Sequence, residues 1–391
     1  MDGVPINKER ILYLRALYGL SEDEFLRAIS GGLKRPLAWG DVYRDAIPLH
    51  VLKRVDRVFQ KGLLYYSDPA TPERLAGRSV FFRRTELGSA LSLGAKRRVM
   101  EFEDWKIRLN TLARLSDTPL ERRLPVLDVS MDPMREAYAL RERLLPAFTP
   151  GKRDFLKRFI NRLGDSNIFV FEFVDLPNRR EKANIDGIYL HPNAIVLKRR
   201  QDALSREIFT LAHELGHYLL DREEVEEVEE VDDSVLLDRE VSDVERWCNA
   251  FAFHLLLGEG NAERLYSVGR CDAGNAFAQV MVEGIAARTH LSRLAIYTEL
   301  LIRGRMSHAS YQAARGEMEA RWELRQKERE AQRARDRANG QAPRGRAPKP
   351  IVAELVKDVY SIALAEGVVG EPEYCRALRV KPASAETPKE L

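Results

Sequence analysis

Within FTLAHELGHYLL, residues Phe209 to Leu220, the order His213-Glu214-Leu215-Gly216-His217 sets two imidazoles four residues apart with a carboxylate beside the first. On a helix, positions i and i+4 lie one above the other, so His213 and His217 share a face and can hold one ion between them. Two histidines in this arrangement suit Zn²⁺, and Glu214 stands where it can take a proton from a water at the metal. Thr210, Leu211, Ala212, Leu215, Gly216, Tyr218 and Leu219 are all uncharged, as a helix buried behind a metal requires. A surface helix with two incidental histidines is the plainer reading of such a pair, and these flanks weigh against it.

A zinc ion that does chemistry takes three protein ligands and leaves a position for water. No third histidine follows in the manner of H-E-x-x-H-x-x-G-x-x-H, because positions 220 and 223 are Leu and Glu. A carboxylate on a later helix is the alternative. Residues 241 to 258, VSDVERWCNAFAFHLLLG, read as that helix, with Val244, Trp247, Cys248, Phe251, Ala252 and Leu255 recurring at helical spacing. Glu245 lies with this apolar stripe, and an acid there needs a reason that a metal supplies. Asn249 is four residues further on, placed to hydrogen-bond a ligand histidine and fix its tautomer. Asp243 and Glu240 are rival third ligands, with solvent-facing charge as their plainer role. His254, His290 and Tyr297 are candidates for stabilising an oxyanion, with packing as the plainer role of each.

The elements that position these residues follow from periodicity and punctuation. MREAYALRERLLPAF reads as a helix with Pro133 in its first turn. FLKRFINRLGDSNIFVFEFVDL reads as helix, Gly164 cap and strand. Asp186-Gly187 and His191-Pro192-Asn193 are turn signals around strands Ile188 to Leu190 and Ala194 to Leu197. The expected fold class is therefore α+β: mostly helical, with a small sheet packed on the H-E-x-x-H helix. Residues 281 to 304 read as two helices, with Thr289 or Ser292 as the cap of the second.

The expected domains are 1–68, a helix-turn-helix-like unit; 69–130, a helical bridge; 131–305, the metal-bearing domain; 306–350, a charged helix and linker; and 351–391, a final helix and tail. In the first, Lys8 to Leu17 reads as a helix, and Ser21 with Glu24 forms a capping box for the next. Pro48 opens a further helix with Leu49, Leu52, Val55 and Phe59 on one face. Several short helices in so few residues resemble a repressor-type helix-turn-helix, with Lys34, Arg35, Trp39 and Arg44 as candidate DNA contacts. A small bundle that docks to a protein fits the same pattern. In the bridge, Ser79 to Phe82 reads as a short β-like run, and Val99, Phe102, Trp105, Ile107, Leu109 and Leu112 are the apolar residues of a helix. Residues 221 to 240 are strongly acidic, a solvated loop or a flap that attracts a basic substrate. Residues 311 to 338 alternate both signs of charge, which points to an exposed helix rather than a nucleic-acid stripe.

Composition bounds the rest. With 391 residues, 45% hydrophobic content and a net charge of +3, the chain is an ordinary globular one, and global charge argues neither for nor against nucleic acid. Its three cysteines are far apart and odd in number, so neither a disulfide framework nor a C-x-x-C site is indicated, and a reducing compartment fits. No apolar run reaches membrane-spanning length, so a cytoplasmic protein with no membrane association is expected.

FTLAHELGHYLL followed by ERWCNAFAFHLLLG resembles the ImmA/IrrE family of metallopeptidases, whose pattern is an H-E-x-x-H helix and then E-x-x-A-N-x-F-A-x-x-L-L. Glu245, Asn249, Phe251, Ala252, Leu255 and Leu256 match that pattern; Cys248 replaces the usual Ala, and Gly258 stands where Pro often follows. The resemblance covers roughly residues 130 to 305. It implies Zn²⁺ held by His213, His217 and Glu245, with Glu214 as the general base. It also implies limited proteolysis of a DNA-binding repressor that controls gene expression, for instance in stress response. The alternative is a DNA-binding regulator or antitoxin-like protein that keeps the peptidase fold and acts by binding.

Overall fold

The computed structural model describes residues 3–70, 91–175, 182–199, 204–222, 242–267, 269–270, 276–339 and 350–381. Ser79 to Phe82 and nearly all of the acidic run lie outside them. The chain divides into two compact units, residues 1–101 with 179–184, and residues 102–178 with 185–391. No helix among the described residues is long and apolar enough to cross a membrane.

The first unit begins with β1 (Val4–Pro5), α1 (Lys8–Leu17), α2 (Glu22–Ser30) and α3 (Trp39–Val42). β2 (Ala46–Ile47), α4 (Leu49–Phe59) and α5 (Leu63–Ser67) follow, and β1 pairs antiparallel with β2. The capping box forms as expected: the Glu24 amide donates to Ser21 Oγ and the Ser21 amide donates to the Glu24 carboxylate. Ile11, Leu14, Phe25, Ile29, Val42, Leu52, Val55 and Phe59 fill the core. Leu49 is 46% exposed rather than part of the buried face, because it is the first residue after the Pro48 cap. The third helix, Trp39–Val42, is a single turn.

The boundary between the units falls within α6 (Leu93–Leu115). Val99, Phe102, Leu109 and Leu112 are buried along it, whereas Ile107 is 44% exposed. The second unit continues with α7 (Pro133–Leu144), α8 (Lys152–Gly164), β3 (Phe169–Phe173), β4 (Gly187–Leu190) and β5 (Ala194–Lys198). Asp132 caps α7 by accepting from the Met134 amide, with Pro133 at the first helical position. Gly164 is the last residue of α8 rather than its cap. A Cβ there would lie 3.2 Å from Leu355 Cβ, so the glycine serves a close approach. The left-handed residue is instead Asn167, at φ 63°.

The strand order is β3-β5-β4, with β3 parallel and β4 antiparallel to the central β5. Val170 pairs with Ile195, and Ile188 with Val196. β5 is buried over Ala194 to Leu197, which is why its sequence is continuously apolar.

Against this sheet lies α9 (Leu204–Leu220), and against α9 lies α10 (Asp243–Leu257). The remaining elements are α11 (Glu259–Ser267), α12 (Ala276–Thr289), α13 (Arg293–Ile302), α14 (His308–Ala338), α15 (Glu354–Ala365) and α16 (Glu371–Leu378). Ser292 caps α13, accepting from the Ala295 amide. α15 packs on α8: the Glu354 amide donates to Asn161 Oδ1, and the Ile351 amide donates to the buried Glu172 carboxylate. The observed class is α+β, mostly helical with one small mixed sheet in the second unit.

Candidate metal centre

α9 is buried over its last ten residues, Leu211 to Leu220, including both histidines and Glu214. A helix can bury polar side chains at that density only if something else satisfies them. α10 supplies it. Ser242 caps α10 by accepting from the Glu245 amide, which fixes where the helix begins and sets Glu245 in its first turn. The two helices approach closely at Gly216, where a Cβ would lie 3.0 Å from Cys248 Sγ and 3.1 Å from Cys248 Cα. Gly216 thus lets the α10 backbone come within reach of the histidines.

His213, His217 and Glu245 converge in the space so formed, at 6%, 1% and 7% exposure. His213 Nε2 lies 3.0 Å from His217 Nε2 and 3.1 Å from Glu245 Oε2, and His217 Nε2 lies 3.2 Å from Glu245 Oε1. Donors about 2.0–2.1 Å from a tetrahedral Zn²⁺ stand roughly 3.3 Å apart, close to these separations, so the three side chains could hold one ion between them. Among the described residues it is the one group of three or more His, Cys, Asp or Glu side chains placed to hold a metal.

Protonation supports the same reading. The Asn249 amide oxygen accepts from His213 Nδ1 at 2.9 Å, so the Nδ1 position carries a proton and Nε2 is the ring nitrogen aimed inward. Burial by itself raises the Glu245 carboxyl, yet hydrogen bonds and charge from His213 and His217 outweigh it and hold the group well below the usual carboxylate range. Glu245 is therefore an anion in a buried place, and a divalent cation favours that form further.

Glu214 is 5% exposed and is packed under β4. A Cβ on Gly187 would lie 2.6 Å from Glu214 Oε1 and 2.5 Å from Thr210 Cγ2. Only a bare backbone at 187 leaves room for the carboxylate. The sequence marks Gly187 as half of a turn signal; in the structure it is the first residue of β4 and the roof over Glu214. An Asp-Gly pair before an apolar run carries no local sign of that second duty.

The ends of both helices are tied down by chain from before α7. Arg122 donates to the Tyr218 carbonyl, and the Leu127 amide donates to the Leu219 carbonyl at 2.8 Å. The Trp247 indole donates to the Met131 carbonyl at 2.8 Å.

The other candidates lie elsewhere. Asp243 is exposed on the first turn of α10 and pairs with Arg246; Glu240 is outside the described residues. His290 Nε2 donates to the Thr149 carbonyl at 2.8 Å, and the ring stacks on Phe148. His254 faces Tyr138, and Tyr297 is buried on α13. In the first unit, Lys34 and Arg35 are exposed between α2 and α3. Trp39 opens α3 and stacks on Tyr43 with a centroid separation of 5.3 Å, while Arg44 lies 3.5 Å from Asp41.

Residues 174–300 match the family model of the IrrE N-terminal-like domain, Peptidase_M78. The matched stretch contains β4, β5 and every residue of the centre, and it supports the resemblance to the ImmA/IrrE family carried by FTLAHELGHYLL and ERWCNAFAFHLLLG. This part of the chain is metallopeptidase-like. No curated protein matches the chain.

Proposed function

We propose that the protein is a zinc-dependent endopeptidase that acts in the cytoplasm and makes limited cuts in a protein substrate, a DNA-binding transcriptional repressor. The observation that carries this reading is the buried convergence of His213, His217 and Glu245 with Glu214 beside them on the same helix. The donor set fits zinc: two imidazole nitrogens and one ionised carboxylate, at the separations one small ion requires. When bound, zinc supplies a Lewis acid that polarises a carbonyl and brings the pKa of a water down to about 7.

The side chains divide the remaining work. His213, His217 and Glu245 hold the ion, and Asn249 keeps the His213 lone pair aimed at it. Glu214 accepts the proton of the attacking water at a carboxylate oxygen and returns it to the nitrogen of the leaving amine. Gly187 keeps the Glu214 carboxylate in place, and burial excludes bulk water from the transfer. A protein that acted only by binding has no use for Glu214, so the complete set favours the enzyme.

The test is incubation of the purified protein with the repressor encoded beside its gene. A discrete cut that vanishes in Glu214→Gln and on chelation is expected. Cleavage that survives Glu214→Gln refutes the reading.

A further inference from the structure

Helix α9 carries a row of side chains at i,i+4 spacing: Arg206, Thr210, Glu214 and Tyr218. Strand β4 and the residue before it meet this row. Arg206 Nη2 lies 2.8 Å from Asp186 Oδ2. A Cβ on Gly187 would run into Thr210 and Glu214 together. Tyr218 meets Tyr189 edge to face, with ring centroids 5.7 Å apart. Glu214 thus sits under Gly187 with an anchor on each side, and the two anchors differ. Tyr189 and Tyr218 are packed, buried rings. Asp186 and Arg206 form an ion pair whose side chains are 11% and 30% exposed, where water screens charge less than on an open surface.

The ladder shows why an anchor is needed at 186. The Lys198 amide donates to the Asp186 carbonyl at 2.7 Å, and Gly187 stands opposite Leu197 in the next pair. Antiparallel pairs alternate between hydrogen-bonded and non-hydrogen-bonded, so the amide and carbonyl of Gly187 point away from β5. A glycine also has the widest backbone freedom of any residue. β4 is four residues long and, among the described residues, pairs on one side alone. The roof over Glu214 is therefore held through its neighbours: Ile188, which is buried, and Asp186.

We infer that the Asp186–Arg206 ion pair is a clamp that fixes β4 over Glu214, which makes Asp186 and Arg206 positioning residues for the general base. The role of Glu214 rests on the peptidase reading above; the clamp rests on the helix row and the strand register. Loss of the pair frees the Asp186 end of β4. Gly187 then moves off the Glu214 carboxylate, which gains room to leave its place beside the histidines.

The experiment compares the full-length wild type with Asp186→Asn, Arg206→Ala and Arg206→Lys, each checked for fold by circular dichroism and for zinc content. Asp186→Asn is nearly isosteric and keeps the test open if Arg206→Ala does not fold. Hydrogen exchange read by mass spectrometry follows β4 without any substrate. The amides of residues 187–190 should exchange at least about threefold faster in Asp186→Asn and Arg206→Ala, with those of α10 at the wild-type rate. Cleavage of the repressor encoded beside the gene follows Glu214. With zinc retained, kcat should fall about ten- to a hundredfold in both variants and KM should stay within about threefold. Arg206→Lys, which keeps the charge, should restore most of the loss. Unchanged exchange over β4 in both variants overturns the inference. So does a normal kcat, a loss confined to KM, or exchange that rises equally in α10. A wild type that makes no Glu214-dependent cut refutes the peptidase reading, and the exchange measurement then decides the clamp by itself.

Discussion

Helix α10 contributes to two buried polar clusters, one near each end, and they are built on opposite principles. Near its start, Glu245 faces only His213 and His217, and among the described residues no lysine or arginine is within ion-pair distance of it. Near its end, His254 lies in a group that carries its own counter-charges. Its Nδ1 is 3.2 Å from the Tyr138 hydroxyl and its Nε2 is 3.5 Å from Arg303, while Glu299 pairs with Arg303 at 2.5 Å and accepts from the Tyr266 hydroxyl at 2.8 Å. The second cluster is closed. The first is an anion and two imidazole nitrogens aimed at a common point, an arrangement that suits a cation among them. Equal burial thus goes with internal pairing in one case and with a group that could hold a metal ion in the other.

That contrast is broken most sharply by Glu214→Gln. The change keeps shape and leaves the three ligands in place, so metal content should be retained while peptide cleavage falls by about a hundredfold to ten-thousandfold, as loss of a general base predicts. A comparable fall is expected for Gly187→Ala, again with metal retained, because the new methyl group occupies the space of the Glu214 carboxylate. Normal activity in Gly187→Ala would show that Glu214 does not depend on its roof.

Asn249→Ala should have a smaller effect. Losing the acceptor for His213 Nδ1 should weaken metal affinity by about ten- to a hundredfold, measurable by competition with a chelator. An unchanged affinity would remove Asn249 from the site.

The closed cluster answers to pH instead. Burial lowers the His254 pKa to about 4, so the folded protein keeps this ring neutral where the unfolded chain, near 6.5, takes up a proton. Unfolded chain then binds more protons as pH falls, and stability present above about 6.5 is lost on the way down to about 4. Between pH 7.5 and pH 5 the loss assigned to His254 is about 2 kcal/mol. His254→Asn should show a correspondingly shallower fall in denaturant melts; an identical fall would place the acid sensitivity elsewhere.

What the sequence discloses follows the range of the interactions. The α9 motif is local, and so are the Ser21 and Ser292 caps and the Asp132-Pro133 start of α7; each was readable because a few neighbouring residues settle it. Glu245 and Asn249 were readable for a different reason: acids and amides on an apolar stripe are conspicuous. Gly187, Gly216 and Gly164 were not, since each is needed for the approach of a chain distant in sequence, and a glycine beside an aspartate looks like a turn whether or not anything packs on it. α11 escaped notice because it follows Gly258 at once and is only nine residues long.

Metal content measures most directly whether the open cluster is a metal site. Elemental analysis of the purified full-length protein should find about one zinc per chain, and Glu245→Ala, shown to be folded by circular dichroism, should have lost it. A wild-type protein without bound zinc after zinc-replete purification, or a Glu245→Ala variant that holds it as well as the wild type, would contradict the account.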